Sequence, residues 1–499
     1  MTIELSISEL SPPRLQFGGA TTSSDPKVGL IQAGPFDMRF GSARSEHIHI
    51  GIIGIPSQIE KTVRWLERSE AGLPAVGEAN LLNRPFPGFS TVFRKKLTIP
   101  AVSVIELDDG PEGELTKALS DKPYVGFQRI VNAYGEGLSR LASRDTNRPD
   151  VVLICIPDVV NERYRTVVRD VTEAEVKAVR AFRRANQAIQ LDLFAVMDEV
   201  EQTTEDLLKR DLRLAIKARA LRHRIPVQLV TSALIEDTLR NQDPATRAWN
   251  ASVGIYYKSG GVPWRLPPRG PETCFVGISF HHFRTTHRAL VRSSLAQAFS
   301  SDGEGFAIRG EGIPVEAHQE RNIHLSEGQA HDLAVSVVSE YTRRTGRPPL
   351  RVVLHKTSYF DAAEMDGFTS ALSNIPLVSM VTLVPSPFRL LRYGPYPPKV
   401  GTVSRINDHR TFLFTSGFMP ELGTYPGPHV PQPFEVRCQG ADDALTAAHD
   451  VFDLTRMNWN TADIRGKWPV SLSFARRVGG ILDEYGDEEL VDSSFRYFV

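Results

Sequence analysis

Short apolar runs alternate along this chain with stretches in which apolar residues recur every three or four positions. Residues 48–53 (IHIGII) are rich in β-branched side chains and stop at Gly54-Ile55-Pro56. They read as a strand, and the Ile59, Val63, Leu66 spacing behind them as one face of a helix. Residues 150–156 (DVVLICI) form a nearly continuous apolar run, the pattern of a strand covered on both faces. Residues 226–231 (PVQLVT) follow a helix-like stretch, 207–223, and precede a helical pattern at 234–240. Residues 251–257 are predicted as a further strand. Strands alternating with helices predict a parallel α/β sheet. Ahead of them, Pro12 to Asp37 reads as short extended pieces split by Gly18-Gly19, Asp25-Pro26 and Gly34-Pro35.

The rhythm breaks at Gly260-Gly261-Val262-Pro263-Trp264, and Pro267-Pro268 marks a junction. It then restarts. Residues 273–279 (TCFVGIS), 304–309, 351–355 (RVVLH), 378–384 and 411–415 read as strands. Residues 327–342 are an amphipathic helix with Ala330, Leu333, Ala334, Val337 and Val338 on one side. A last helix opens over 473–482, and the chain closes on apolar 495–499. Two α/β lobes meeting near 262–270 are expected.

Composition narrows this only slightly. The chain has 499 residues, 41% hydrophobic and 23% charged, as in ordinary globular proteins. Cys155, Cys274 and Cys438 form no CxxC and fit a reducing cytosol. The N-terminus has no signal-peptide pattern, and no run of about 18 apolar residues exists, so a soluble cytoplasmic protein is expected. Lys+Arg number 58 against Asp+Glu 59. A net charge of −1 argues at first against a nucleic-acid binder.

The distribution of charge reverses that. Between 209 and 269 stand twelve basic residues and four acidic ones, an excess of eight. Arg213, Lys217 and, less closely, Arg224 fall near one helix face, and Gln228 lies on the next strand. Such a set can converge on a phosphate, and it can equally be a solvated basic face. Acidic runs at 186–206 and 483–492 compensate, either as exposed surface or as a docking face.

Catalytic patterns are sparse. Ser279 stands mid-strand where a carboxylate would present a metal, and the next strand ends in His355-Lys356. No carboxylate cluster for two-metal chemistry is readable. His281, His282 and His287, with His324 or His355, could bind a metal, but match no HExxH spacing. GxSxG and the phosphate-loop motif GxxxxGK[ST] do not occur, and Gly51–Gly54 lacks the third glycine of a dinucleotide fingerprint.

An ordered set of blocks resembles the short prokaryotic Argonautes, which have MID and PIWI domains only. The set starts with Pro13-Arg14-Leu15 to Phe17-Gly18-Gly19, Asp25 to Leu30 (DPKVGL), Gly34-Pro35-Phe36 and Arg84 to Phe89 (RPFPGF). It continues with Ile225-Pro226-Val227-Gln228, Tyr257-Lys258 with Gly260-Gly261 and Pro263-Trp264, and His355-Lys356-Thr357-Ser358 with Phe360. Thr415 to Phe418 with Pro420, and Phe495 to Val499, complete it.

The resemblance implies an α/β chain with a Rossmann-like MID lobe and an RNase H-like PIWI lobe. Residues 1–45 would be an N-terminal segment on the PIWI lobe, 46–265 the MID domain and 266–499 the PIWI domain. Lys217, Gln228 and Lys258 match the motif that holds the guide 5′ phosphate. Arg213 would join them, although the family often has an aromatic residue or His there. Val499 would offer its terminal carboxylate to a Mg²⁺ shared with guide phosphates. Ser279 and Lys356 (or His355) occupy catalytic acid positions, with Arg476 and Arg477 near the last, so the PIWI lobe should not cut.

What the resemblance then implies is a guide-dependent sensor of a prokaryotic defence system. It would bind a short guide RNA and a single-stranded DNA target. It would activate a separately encoded partner carrying an APAZ region and an effector: a TIR or sirtuin-like NAD-consuming domain, or a nuclease. Two other readings stand beside it: a metal-dependent nuclease or phosphodiesterase using His281, His282 and His287, and a scaffold that binds no guide.

Overall fold

The computed structural model describes residues 4–77, 79–168, 209–237, 242–284, 290–300, 303–314, 324–391, 393–394, 397–407, 410–427, 430–486, 490 and 492–499. Side chains of 282–295 and 311–314 are not described. The acidic run 186–206, His287, Arg240 and the side chain of His282 therefore lie outside the described residues.

Two sheets organise the chain. Strand β1 (Leu5–Glu9) belongs to the larger sheet. The smaller sheet begins at β2 (His47–Gly54), followed by α1 (Pro56–Ala71), β3 (Lys96–Thr98), β4 (Val104–Glu106), α2 (Pro123–Ala142) and β5 (Val151–Cys155). After residues 169–208 come α3 (Leu212–Arg222), β6 (Val227–Val230) and α4 (Pro244–Lys258). The order is β6-β5-β2-β3, with β4 also on β2, and every pairing is parallel.

The alternation of β5 explains its apolar run. Val152 and Ile154 pack under α2 and α3 with Phe127, Ile130 and Ile216. Val151, Leu153 and Cys155 pack on the other face with Trp65 of α1 and Trp249 of α4. A strand covered on both sides has no face to spare for polar residues.

The second lobe holds β7 (Thr273–Arg284), β8 (Leu290–Ser300), β9 (Gly305–Pro314), α5 (Glu327–Thr345), β10 (Arg351–Lys356) and α6 (Ala362–Ala371). Next come β11 (Leu377–Pro385), β12 (Thr402–Ile406), β13 (Arg410–Leu413), β14 (Phe434–Gly440), α7 (Ala444–Leu454), α8 (Val470–Ser473) and α9 (Ala475–Tyr485). The nine-stranded order is β1-β12-β13-β14-β11-β10-β7-β8-β9. Only β7/β10 and β10/β11 pair in parallel. Helices α5 and α6 cover one face through Leu333, Val337 and Phe368. Helices α7, α8 and α9 cover the other through Val451, Leu472 and Val478, in a core that continues to Ile50 and Trp249 of the first lobe.

The segment before β2 touches both lobes. β1 pairs antiparallel with β12. Buried Asp37 accepts hydrogen bonds from the Tyr256 hydroxyl at 2.6 Å and from Arg44 Nε at 3.0 Å.

Three expectations are corrected. Residues 251–257 are helix, not strand: they lie within α4, buried on nearly every side. An apolar run in a fully enclosed helix loses its period, and the start signal is Asp243-Pro244. Asp243 accepts from Thr246 N at 2.8 Å, with proline in the first turn. Asp25-Pro26 does not split extended chain but begins a helix, Pro26–Ala33, in the same way: Asp25 accepts from Lys27 N at 2.8 Å. Of the helical pattern expected at 234–240, residues 238–240 lie outside the described residues, and the described helix is the single turn Ser232–Ile235, which ends before Glu236.

Candidate functional site: a cationic cleft between the lobes

A cleft of about 1300 Å³ lies where α3, β6 and α4 of the first lobe face α9 and the chain end. It brings together Arg213, Lys217, Gln228, Lys258 and Val499, five residues singled out from the sequence. Asp211 starts α3 by accepting from the N–H groups of Arg213 and Leu214 at 2.8 and 3.2 Å. Lys217 stands four residues after Arg213, the spacing that stacks side chains along a helix. Lys258 is the last residue of α4, and its Nζ donates to Gln228 Oε1 at 2.5 Å. Lys217 Nζ donates to the Val499 oxygen at 2.5 Å.

A pair of glycines sets how close the lobes come. A Cβ at Gly479 would meet His281 Nδ1 at 2.3 Å, and one at Gly480 would meet Leu214 Cδ1 at 2.6 Å. Helix α9 therefore lies directly between β7 and α3. Arg477, two residues before Gly479, lines the cleft. Arg222 Nη2 donates to the Tyr485 carbonyl at 2.7 Å, and Arg210 Nε grips Glu484 at 3.0 and 2.9 Å, so the contact is tied at the helix end as well.

The electrostatics are one-sided. Burial pulls the Lys217 ammonium well below the ordinary lysine value, and Lys258, Arg477 and Arg213 pull it further, against Asp211 alone. Burial, then Arg477, brings Lys258 down to about 7. Arg477 is lowered by burial and by Arg213. A buried cation is costly unless an anion neutralises it. Three acidic side chains line the cleft: Asp211 caps a helix, Glu484 is paired with Arg210, and Asp483 precedes it on α9. The arrangement is chemically an anion receptor: two ammonium groups and a guanidinium around an amide.

Other expected positions fall elsewhere. Arg224 lies beyond the end of α3 and lines a different cavity. Ser279 and Lys356 do not share a site. Ile278 pairs with Lys356 and Gly277 with His355, so by strand alternation Ser279 and His355 point to one face and Lys356 to the other. His355 is fully buried, with Nδ1 2.8 Å from Ser471 Oγ, and burial takes its pKa down to about 3. Lys356 Nζ sits on Glu364 at 2.5 and 2.6 Å beneath α6. Glu364, His324 and Asp361 could together hold a metal ion, but the Lys356 ammonium already occupies the Glu364 carboxylate. His281 is buried and lines the cleft, on the sheet face opposite the His324 cluster. The sequence places Arg477 near the last catalytic position and not as an anion contact; the signal available for that role was its place just ahead of the helix-packing pair Gly479-Gly480.

No protein-family model and no curated protein matches the chain. Solved structures do. The chain has an Argonaute-like fold, a large mixed sheet beside a parallel one. It is similar to Clostridium butyricum Argonaute bound to a guide DNA (5′ deoxycytidine) and a 19-mer target DNA, with TM-score 0.63 and 14% identity over 99% of this chain and 55% of that one. It is also similar to Aa-Ago with externally-bound siRNA (TM-score 0.56, 13% identity, 98% and 56% coverage). A third is A. aeolicus Argonaute (TM-score 0.54, 14% identity, 98% and 55% coverage). The chain spans little more than half the length of these proteins. Among the described residues, no helix is long and apolar enough to cross a membrane.

Proposed function

We propose that this chain binds a short nucleic-acid guide by its 5′ phosphate and uses it to recognise a complementary target. The cluster of buried Lys217 and Lys258 beside the exposed Arg477 carries this reading. A phosphate entering the cleft would accept charge-assisted hydrogen bonds from these groups and from Gln228, restoring the protonated state that burial disfavours. The fold likeness to an Argonaute bound to guide and target DNA supports the same reading. Base pairing would supply sequence specificity and the protein the backbone grip.

In this proposal the guide is RNA and the target single-stranded DNA, and the chain does not cut. On the sheet face that meets α8 and α9, Ser279 and His355 stand where carboxylates would be expected, and two-metal hydrolysis needs carboxylates. Mg²⁺ enters only together with guide phosphates. The cleft offers the Val499 carboxylate among three cations, so the phosphates must supply the remaining oxygens. The output belongs to a separately encoded APAZ-effector partner in a cytoplasmic defence system.

Filter binding with matched 5′-phosphorylated and 5′-hydroxyl oligonucleotides tests the grip. The phosphorylated strand is expected to bind at least about tenfold more tightly, about 1.4 kcal/mol. Equal affinities would overturn the reading. Target sliced at a defined position in Mg²⁺ or Mn²⁺ would overturn its non-cutting part.

A further inference from the structure

A second cavity, of about 450 Å³, lies behind the first and shares no lining residue with it. Tyr257 lines it where neighbouring Lys258 lines the cleft, and Arg496 lines it where Val499 lines the cleft. Four arginines surround it: Arg224, Arg343, Arg344 and Arg496.

Their partners are unequal to them. Arg343 and Arg344 both bind one carboxylate, Glu340, which they and Ser493 hold down to about 2. Asp492 is 3.6 Å from Arg344 and spends an oxygen on Ser494 N. Arg496 donates Nη2 to the Tyr497 hydroxyl at 3.1 Å, while its buried Nε has no hydrogen-bond partner. The Arg224 guanidinium has no hydrogen bond or ion pair among the described residues. Arg224 is exposed, and its left-handed backbone, at φ 51°, is the closing turn of α3, with its N–H on the Leu221 carbonyl and the Ile225 N–H on the Ala220 carbonyl.

The rest of the wall joins the rings of Tyr257 and Trp459 to glycines, Val262, Ser494 and the Glu304 carboxylate. Tyr257 and Trp459 pack edge to face with centroids 5.0 Å apart, and the buried Trp459 Nε1 has no partner. Gly260 brings the chain near Arg496: a Cβ there would stand 3.3 Å from Arg496 Nη1. Guanidinium forks suit phosphate, and an aromatic wall suits a flat ring. The volume is that of a small-ligand site.

The structure assigns this cavity, we infer, as a binding site for a nucleoside monophosphate, with Arg224 and Arg496 holding the phosphate. The inference does not rest on guide binding.

Calorimetric titration of AMP into full-length Lys217→Glu/Lys258→Glu protein, in which the first cleft is disabled, tests it. One saturable site is expected, weakened at least about tenfold by adding Arg224→Ala and Arg496→Ala. Arg224→Lys with Arg496→Lys, which keeps charge but loses the fork, is expected to weaken it severalfold and serves if the alanine variant does not fold. Lack of saturable AMP binding, or binding unaffected by these changes, would overturn the site. Inorganic phosphate binding as tightly as AMP would overturn the nucleoside part.

Discussion

Buried lysines occur in both lobes under opposite conditions. Lys356 lies beneath α6 with a carboxylate of its own, and Glu364 also accepts from the Leu325 and Asp361 N–H groups. That set is complete. Lys217 and Lys258 face Arg477 with one amide oxygen and one chain-end oxygen between them. That set has the chain-end carboxylate alone against three cations, so positive charge is in excess. A satisfied buried ion pair holds a fold together, whereas an unsatisfied cluster spends stability and holds a place for a ligand.

The sharpest break of this contrast is Lys356→Met. Glu364 is left buried without a counter-charge, and a loss of about 3–5 kcal/mol is expected in urea unfolding. Adding Glu364→Leu should restore most of it, apart from about 1 kcal/mol for the lost helix cap. Lys217→Met with Lys258→Met should behave oppositely. The unfolding midpoint without nucleic acid should stay or rise, while the preference for a 5′ phosphate disappears. A midpoint that drops as far as for Lys356→Met would erase the distinction.

Protons sharpen it further. Lys258 has a folded pKa of about 7 against an ordinary 10.5. The unfolded chain therefore holds more protons between those values, and the empty protein should gain stability from this group as pH rises from 7 toward 10.5. Binding of an anion runs the other way, because it needs the ammonium. Affinity for the 5′-phosphorylated strand should fall as pH passes upward through 7, and Lys258→Gln should flatten the profile. The smallest effect is at the start of α4. Asp243→Ala removes the cap that sets the helix ending at Lys258, and should cost about 1 kcal/mol in thermal unfolding.

Much of this was legible in the chain and some was not. The apolar runs at 48–53 and 150–156 are strands because burial on both faces leaves a mark that needs no context. Lys217 and Lys258 were legible as part of a charge excess that a solvated helix would also show, and Gln228 as a neutral donor on the next strand; only their convergence separates the two readings. Asp-Pro was misread at 25–26 because the pair serves both a turn and a helix start, and only the N–H groups it caps decide which. At 243–244 the same start signal lay ahead of an enclosed apolar run that was read as a strand. The opposite faces of Ser279 and Lys356 follow from the β7/β10 register, which no single strand encodes. Arg477 escaped because its neighbours in space are two hundred residues and more away along the chain.

Ile50 and Trp249 share one continuous core with Phe275 and Val478. Neither lobe can melt without stripping buried surface from the other. Heating should therefore give a single cooperative transition, with both sheets and the cleft lost together.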